Sequence, residues 1–188
     1  VKRKEGKSLW NYVDGCMILA ILQTYDITGN KKYLDFADSY ISHRVDEDGT
    51  ITGFQIEAFN IDSVNAGKTL FELYDLTGKE KYKKAIDQIY QQILLQPRTR
   101  DGNFWHKLIY PQQVWLDGLY MGQPFYMEYE TRFNDKKNYD DIYHQFFNAV
   151  LTPAITFIVV TIVRRLINAP RPYKVYSIKP LIAKKKEG

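Results

Sequence analysis

Asp117 stands among aromatic rings. Residues 103–121 read Asn-Phe-Trp-His-Lys-Leu-Ile-Tyr-Pro-Gln-Gln-Val-Trp-Leu-Asp-Gly-Leu-Tyr-Met, which sets Trp105, Tyr110, Trp115 and Tyr120 around one carboxylate, Asp117, and one imidazole, His106. Flat ring faces stack on the apolar C–H faces of a pyranose, and a carboxyl group moves a proton, so this set suits a sugar site. It equally suits a buried helix start, with Trp and Tyr as core and Asp117 as the N-cap before Gly118-Leu119-Tyr120-Met121. The segment alone leaves both readings open. The organisation of the rest of the chain favours the first.

The elements that position these residues must be helices. Tyr25-Asp26-Ile27-Thr28-Gly29-Asn30-Lys31-Lys32-Tyr33 is echoed by Tyr74-Asp75-Leu76-Thr77-Gly78-Lys79-Glu80-Lys81-Tyr82, and more weakly by Thr131-Arg132-Phe133-Asn134-Asp135-Lys136-Lys137-Asn138-Tyr139. Each copy lies between two segments with apolar residues at helical spacing. Thr-Gly stops the first helix, with glycine taking the left-handed C′ position, and a charged run opens the second. Leu19, Leu22 and Tyr25 should line one helix, and Tyr33, Phe36, Ala37, Tyr40 and Ile41 its partner. The next pair uses Leu70, Leu73 and Tyr74, then Tyr82, Ala85, Ile86 and Ile89. The unit is an α-hairpin of roughly 50 residues, repeated in tandem, which means an α-solenoid or a closed α/α toroid. Aromatic-rich loops such as 48–54 and 100–104 favour the toroid, whose loops converge on a central cleft.

Bulk composition is that of one globular domain: in 188 residues, 45% are hydrophobic and 26% charged, values that exclude a disordered chain. The net charge of +4 is mild and gathered at the ends, in Lys2, Arg3, Lys4 and Lys7 and in Lys184, Lys185 and Lys186. Such ends are solvated tails, and no zinc-finger spacing or basic recognition helix argues for nucleic acid. Cys16 is the sole cysteine, so no internal disulfide forms; in an apolar helical run it is expected to be buried. Val1–Lys7 is charged and no apolar run follows at once, so no signal peptide is expected, and the location implied is cytoplasmic. The absence of an initiator Met points to a fragment.

The chain changes character after Phe147. Residues 149–163 are uncharged and β-branched, but fifteen residues fall short of the roughly 20 that span a bilayer, and Pro153 interrupts them. A buried helix or strand and a membrane segment cut short at its start are both open, so membrane contact of residues 149–165 stays in view. The tail from Pro170 is expected to be extended.

Four segments resemble one known family in order and spacing: Trp10-Asn11-Tyr12, Asn60-Ile61-Asp62-Ser63-Val64-Asn65-Ala66-Gly67-Lys68, Gln96-Pro97-Arg98-Thr99, and the 103–121 stretch. They are similar to the unsaturated glycosyl hydrolases of families 88 and 105, the unsaturated rhamnogalacturonyl hydrolases above all, over roughly residues 8–147. The resemblance implies an all-α fold, an incomplete (α/α)6 toroid in residues 1–147, with an apolar helix and basic tail in 148–188. It implies removal of the terminal unsaturated galacturonyl or glucuronyl residue from lyase-generated oligosaccharides of pectin or rhamnogalacturonan, by hydration of the ring double bond, with no metal or organic cofactor.

By the same resemblance Asp117 is the general acid/base. Desolvation by Trp115, Tyr120 and Met121 would raise its pKa and keep a proton available. Asp62 matches the second acid; read from the residues alone it could instead be the N-cap of a helix from Ser63. His106, Met121, Trp115 and Tyr12 match substrate-lining positions, although His106 could also be a core histidine bonded to backbone. His43 and His144 match no motif and read as surface residues.

Two departures qualify this. The family runs on well beyond this length, so about half of the toroid is expected to be missing and the cleft to lie open; oligomerisation through the open edge is one consequence. Arg98 and Lys107 are the nearby cations in the matching part. The tail Arg164-Arg165-Leu166-Ile167-Asn168-Ala169-Pro170-Arg171-Pro172-Tyr173 resembles the first motif of the membrane phosphatidic-acid phosphatase type 2 superfamily, whose nucleophilic-histidine motifs are absent here. A non-catalytic, chimeric remnant is therefore the competing reading, and a membrane-anchored phosphatase fragment a third.

Overall fold

The computed structural model describes residues 10–167. The expected extended tail and the phosphatase-like residues beyond 167 lie outside the described residues. The described residues are helical: α1 (Tyr12–Thr28), α2 (Lys31–Ser42), α3 (Ile61–Thr77), α4 (Glu80–Leu95), α5 (Leu116–Phe133) and α6 (Tyr139–Leu166), with a 3-10 turn at Ile56–Ala58. Only isolated bridges, Val45 to Ile51 and Arg98 to Phe104, pinch the loops after α2 and α4. The chain divides into two compact units, Val1–Ala149 and Val150–Gly188.

The repeat read from the sequence is built as expected in its first two copies. Gly29 and Gly78 end α1 and α3 in left-handed conformation, with φ 64 and 65, and donate to Tyr25 O and Tyr74 O. Asn11, Asn30 and Asn60 cap α1, α2 and α4's predecessor α3 by accepting first-turn N–H groups. The third copy has no glycine. Asp135 and Lys136 take φ 48 and 62 there, and the turn is held by the buried Glu130, which accepts from Tyr90 Oη at 2.6 Å, from the Asn134 and Asn138 amides, and from the Asn138 backbone at 2.9 Å.

In the first unit the odd helices form an inner row and the even helices back them. Trp10 Nε1 donates to Ser63 O at 2.8 Å and the Asn65 amide to Tyr12 O at 3.1 Å, so α1 and α3 run parallel with their N-termini level. Gly15 permits this approach: a Cβ there would meet Ala66 Cα at 2.6 Å. The pairs Ile61–Gly122 and Phe71–Phe125 set α3 parallel to α5 in the same way. Parallel inner helices with outer returns are the arrangement of an α/α toroid, of which this unit forms a part. Ile18, Leu22, Ala37, Ile41, Val64, Leu70, Leu73, Tyr82, Ile86, Ile89 and Phe125 pack its core at 1% exposure or less, and burial of this kind is the main stabilising term.

Some expectations are corrected. Tyr33 and Phe36 lie on the exposed side of α2, where Leu34 takes the core position. Cys16 is exposed rather than buried, because it lies on the inner-row face of α1 opposite Ile18 and Leu22. The apolar stretch after Phe147 is a continuation of the 28-residue α6, which Pro153 does not interrupt. By length and composition alone α6 is able to span a bilayer, and one such helix is weak evidence of insertion.

Candidate active site

Parallel inner helices bring their first turns to one end of the unit. Tyr12 opens α1, Asp62 is the second residue of α3, and Asp117 is the second residue of α5. Neither acid is an N-cap: Asn60 and Trp115 hold those positions, which corrects the bland reading of both. A carboxylate in a first turn is favoured by the unpaired N–H groups and the helix dipole, by about 0.3–1 kcal/mol. Helix geometry thus puts both acids in first turns at the same end of the unit.

The loop between α4 and α5 packs against the first turn of α3. His106 N donates to Gln113 O at 2.8 Å, and Ile61 N donates to His106 O at 3.0 Å, which ties the loop to the start of α3. Two buried glutamines, Gln92 on α4 and Gln96 at its C-cap, hold the same loops from behind. Gln96 Nε2 donates to Phe59 O and to Trp105 O at 2.8 Å, and Gln92 Nε2 to Asn60 O at 3.1 Å. No motif in the sequence marked Gln92 and Gln96; their spacing of one helical turn within an apolar stripe was the available signal.

Asp62 is the centre of the polar cluster. Its Oδ1 lies 3.2 Å from His106 Nε2 and its Oδ2 lies 2.6 Å from Lys107 Nζ. His106 is 2% exposed, and its partner is this carboxylate rather than backbone. Burial pushes the His106 pKa below its ordinary value, against the opposing pull of Asp62 and Asp117, while Lys107 adds to the fall. The imidazole is therefore neutral near pH 7, and it feels both acids.

The aromatic residues sort into two roles. Trp115 stacks on His106, with ring centroids 4.7 Å apart and planes 2° from parallel, and on Tyr110 at 5.3 Å. Its Nε1 donates to Gln113 Oε1 at 3.0 Å. Trp115 is thus first a clamp on the imidazole. Tyr12 and Tyr120 are open to solvent, at 43% and 55% exposure. Met121 is half-buried against the core. Beside the Trp115 ring lies a small concavity of about 20 Å³, lined by Ile61, Phe104, His106, Gly118 and Gln123 among others.

Asp117 departs from the expectation of a dry acid. Its side chain is exposed, because the face of α5 that carries Asp117, Tyr120 and Met127 is uncovered. The desolvation inferred from its neighbours is absent here. Of the two nearby cations, Arg98 is engaged elsewhere: it grips Asp141 through two bonds of 2.6 and 2.8 Å. Lys107 remains at the cluster. Lys68, which the sequence did not single out, joins it from α3, with Nζ 3.9 Å above the Tyr120 ring and 3.1 Å from Tyr120 O. Burial lowers the Lys68 pKa. His43 and His144 are exposed, as expected. Among the described residues no group of His, Cys, Asp and Glu has the arrangement of a metal site.

Comparison with known proteins gives the chain's family. The chain is 25% identical over 138 residues to the unsaturated rhamnogalacturonyl hydrolase YesR of Bacillus subtilis (strain 168), an alignment that takes in 67% of this chain and 38% of that protein. It superposes on a solved family 105 glycoside hydrolase of C. acetobutylicum ATCC 824 with a TM-score of 0.71 and 49% identity, over 73% of this chain and 38% of the other. The chain therefore spans well under half the length of these relatives. The matches give no support to the phosphatase resemblance of the tail, since the family match ends at residue 152. Residues 1–152 fit the model of Glycosyl Hydrolase Family 88, and the chain belongs to that family.

Proposed function

We propose that this chain carries the catalytic acids of an unsaturated uronyl hydrolase, acting on oligosaccharides left by polysaccharide lyases, those of pectin and rhamnogalacturonan included. Asp117 as the acid delivers a proton to C4 of the C4=C5 double bond. Water, deprotonated by the same carboxylate, adds its oxygen at C5. The hemiketal formed opens, and the bond to the leaving sugar breaks as its oxygen takes up the proton. No metal or organic cofactor enters this chemistry.

The observation that carries the reading is the meeting of Asp62 with His106 and Lys107 beside the first turn that bears Asp117. Asp62, buried to 14% exposure, orients substrate or water. In this reading Lys107, paired with Asp62, would receive the uronate carboxylate, and Tyr12, Trp115 and Met121 would line the sugar with His106 behind Trp115. The test is loss of ultraviolet absorbance from an unsaturated galacturonyl-rhamnose disaccharide. Turnover by the parent chain and its loss in Asp117→Asn support the assignment; equal rates in the two would sink it.

The exposure of Asp117 favours a second reading, a non-catalytic remnant. An acid in open water lacks the exclusion of solvent that the reaction demands. Helical content without turnover in the parent chain selects this reading. We further propose a division at 147/148, a cytoplasmic location, self-association through the open edge of the toroid and membrane contact of residues 149–165.

A further inference from the structure

His106 and Gln123 are each 2% exposed and line the same concavity. His106 Nδ1 and Gln123 Oε1 are buried there without a hydrogen-bond partner. A buried polar atom left dry carries a large penalty, and such atoms are usually served by a trapped water.

The chemistry of the two atoms says what serves them. Asp62 Oδ1 is an acceptor 3.2 Å from His106 Nε2, so the ring proton belongs on Nε2. Nδ1 is then a lone-pair acceptor, and an amide oxygen is an acceptor as well. Two acceptors cannot bond each other; they need a small group with two protons to give. The concavity, at about 20 Å³, just exceeds the ~10–15 Å³ that a single water needs. Gly118 keeps the path to Nδ1 open, since a Cβ there would stand 2.9 Å from that nitrogen.

We propose that a water in this concavity donates to both His106 Nδ1 and Gln123 Oε1, and that Gln123 is thereby a positioning residue that holds the imidazole with its proton toward Asp62. The charged groups that face the ring are Asp62 from α3, Asp117 from α5 and Lys107 from its own loop. Gln123 lines the same concavity from deeper in α5. The consequence for turnover rests on the function proposed above, but the hydrogen-bond arrangement does not.

The test is nitrogen-15 NMR of the imidazole in the full chain across pH. The parent should show the proton on Nε2 and a cross-peak between a long-lived water and the His106 ring. Gln123→Glu places a carboxylate in the concavity and should raise the His106 protonation midpoint by about one unit. Gln123→Leu removes the second acceptor and should lower it. A packing role alone predicts no opposed shift. A proton on Nδ1 in the parent, or a midpoint common to the parent and both folded variants, overturns the proposal. If the variants do not fold, the parent's tautomer and water cross-peak decide. A chain that shows these signatures yet fails to consume the disaccharide keeps this inference and loses the enzymatic one.

Discussion

The Asp62 carboxylate lies 3.2 Å from His106 Nε2, and the backbone of the next-door residue Ile61 donates to His106 O at 3.0 Å. Side chain and main chain therefore fasten the same loop residue to the first turn of α3. Asp62→Ala would leave a buried imidazole N–H and the Lys107 ammonium without their acceptor, at a cost of about 1–3 kcal/mol. Asp117→Asn, at an exposed position, should leave stability close to the parent's. Urea unfolding at pH 7 separates the two: a marked loss for Asp62 and little for Asp117 is expected, so that lost turnover in Asp117→Asn reads as chemistry.

The buried imidazole also sets a pH dependence. Burial holds the His106 pKa below its ordinary 6.5. The unfolded chain therefore takes up this proton at a higher pH than the folded one. Stability from this source is intact above 6.5 and falls as pH drops through that value toward the folded pKa. The lowered carboxyl groups Asp38, Glu130 and Asp141, with ordinary values of 3.8, 4.5 and 3.8, act the same way at lower pH. Thermal midpoints should thus decline in two stages on acidification, and His106→Gln should remove the first stage alone.

The helical repeat was legible because Thr28-Gly29 and Thr77-Gly78 impose a local rule, the left-handed cap, that tertiary packing does not override. The Asp62–His106–Lys107 cluster was legible only in its members. Their contacts depend on the parallel register of α1, α3 and α5, which comes from Gly15 against Ala66 and Ile61 against Gly122. The exposure of Asp117 was not legible, since its aromatic neighbours in sequence turn to different sides: Trp115 folds onto His106 while Tyr120 stays in solvent. Glu130 was missed because a lone acid near a helix end reads as surface charge, whereas here it is 0% exposed and fully bonded.

Gly15 tests the register directly. A methyl group at this position would overlap the backbone of Ala66, and α1 would have to move off α3. Gly15→Val should cost about 1–3 kcal/mol by overpacking. It should also loosen the bond from the Asn65 amide to Tyr12 O, and with it the first turn of α1. Amide hydrogen exchange at residues 12–16 reads this; protection equal to the parent's would mean that the helices are not held by that contact.

Deleting residues 148–188 probes α6. Phe157 is 74% exposed and Ile155, Ile158, Val159, Val160 and Ile162 are each half exposed, so the helix carries an uncovered apolar surface through its second part. The full chain should partition into detergent or associate with itself, and the truncated chain should do so less. Equal partition of the two would place the apolar surface responsible in the uncovered inner row instead.

Glu130 closes the third hairpin in place of a glycine. Burial works against its charge, yet hydrogen bonds from Tyr90, Asn138 and Asn134 bring its pKa below the ordinary value. The residues it holds include a turn in which Asp135 and Lys136 adopt positive φ, a conformation that non-glycine residues resist. Glu130→Ala removes the common acceptor of Tyr90, Asn134 and Asn138 and should cost about 3 kcal/mol. Adding Asp135→Gly to that variant relieves part of the strain, so the double variant should recover a fraction of the loss. If Glu130→Ala alone unfolds at the parent's urea midpoint, the turn is held by something other than the carboxylate. The pairing of α5 with the start of α6 would then rest on the bond from Tyr126 Oη to Asp141 Oδ2 at 3.1 Å.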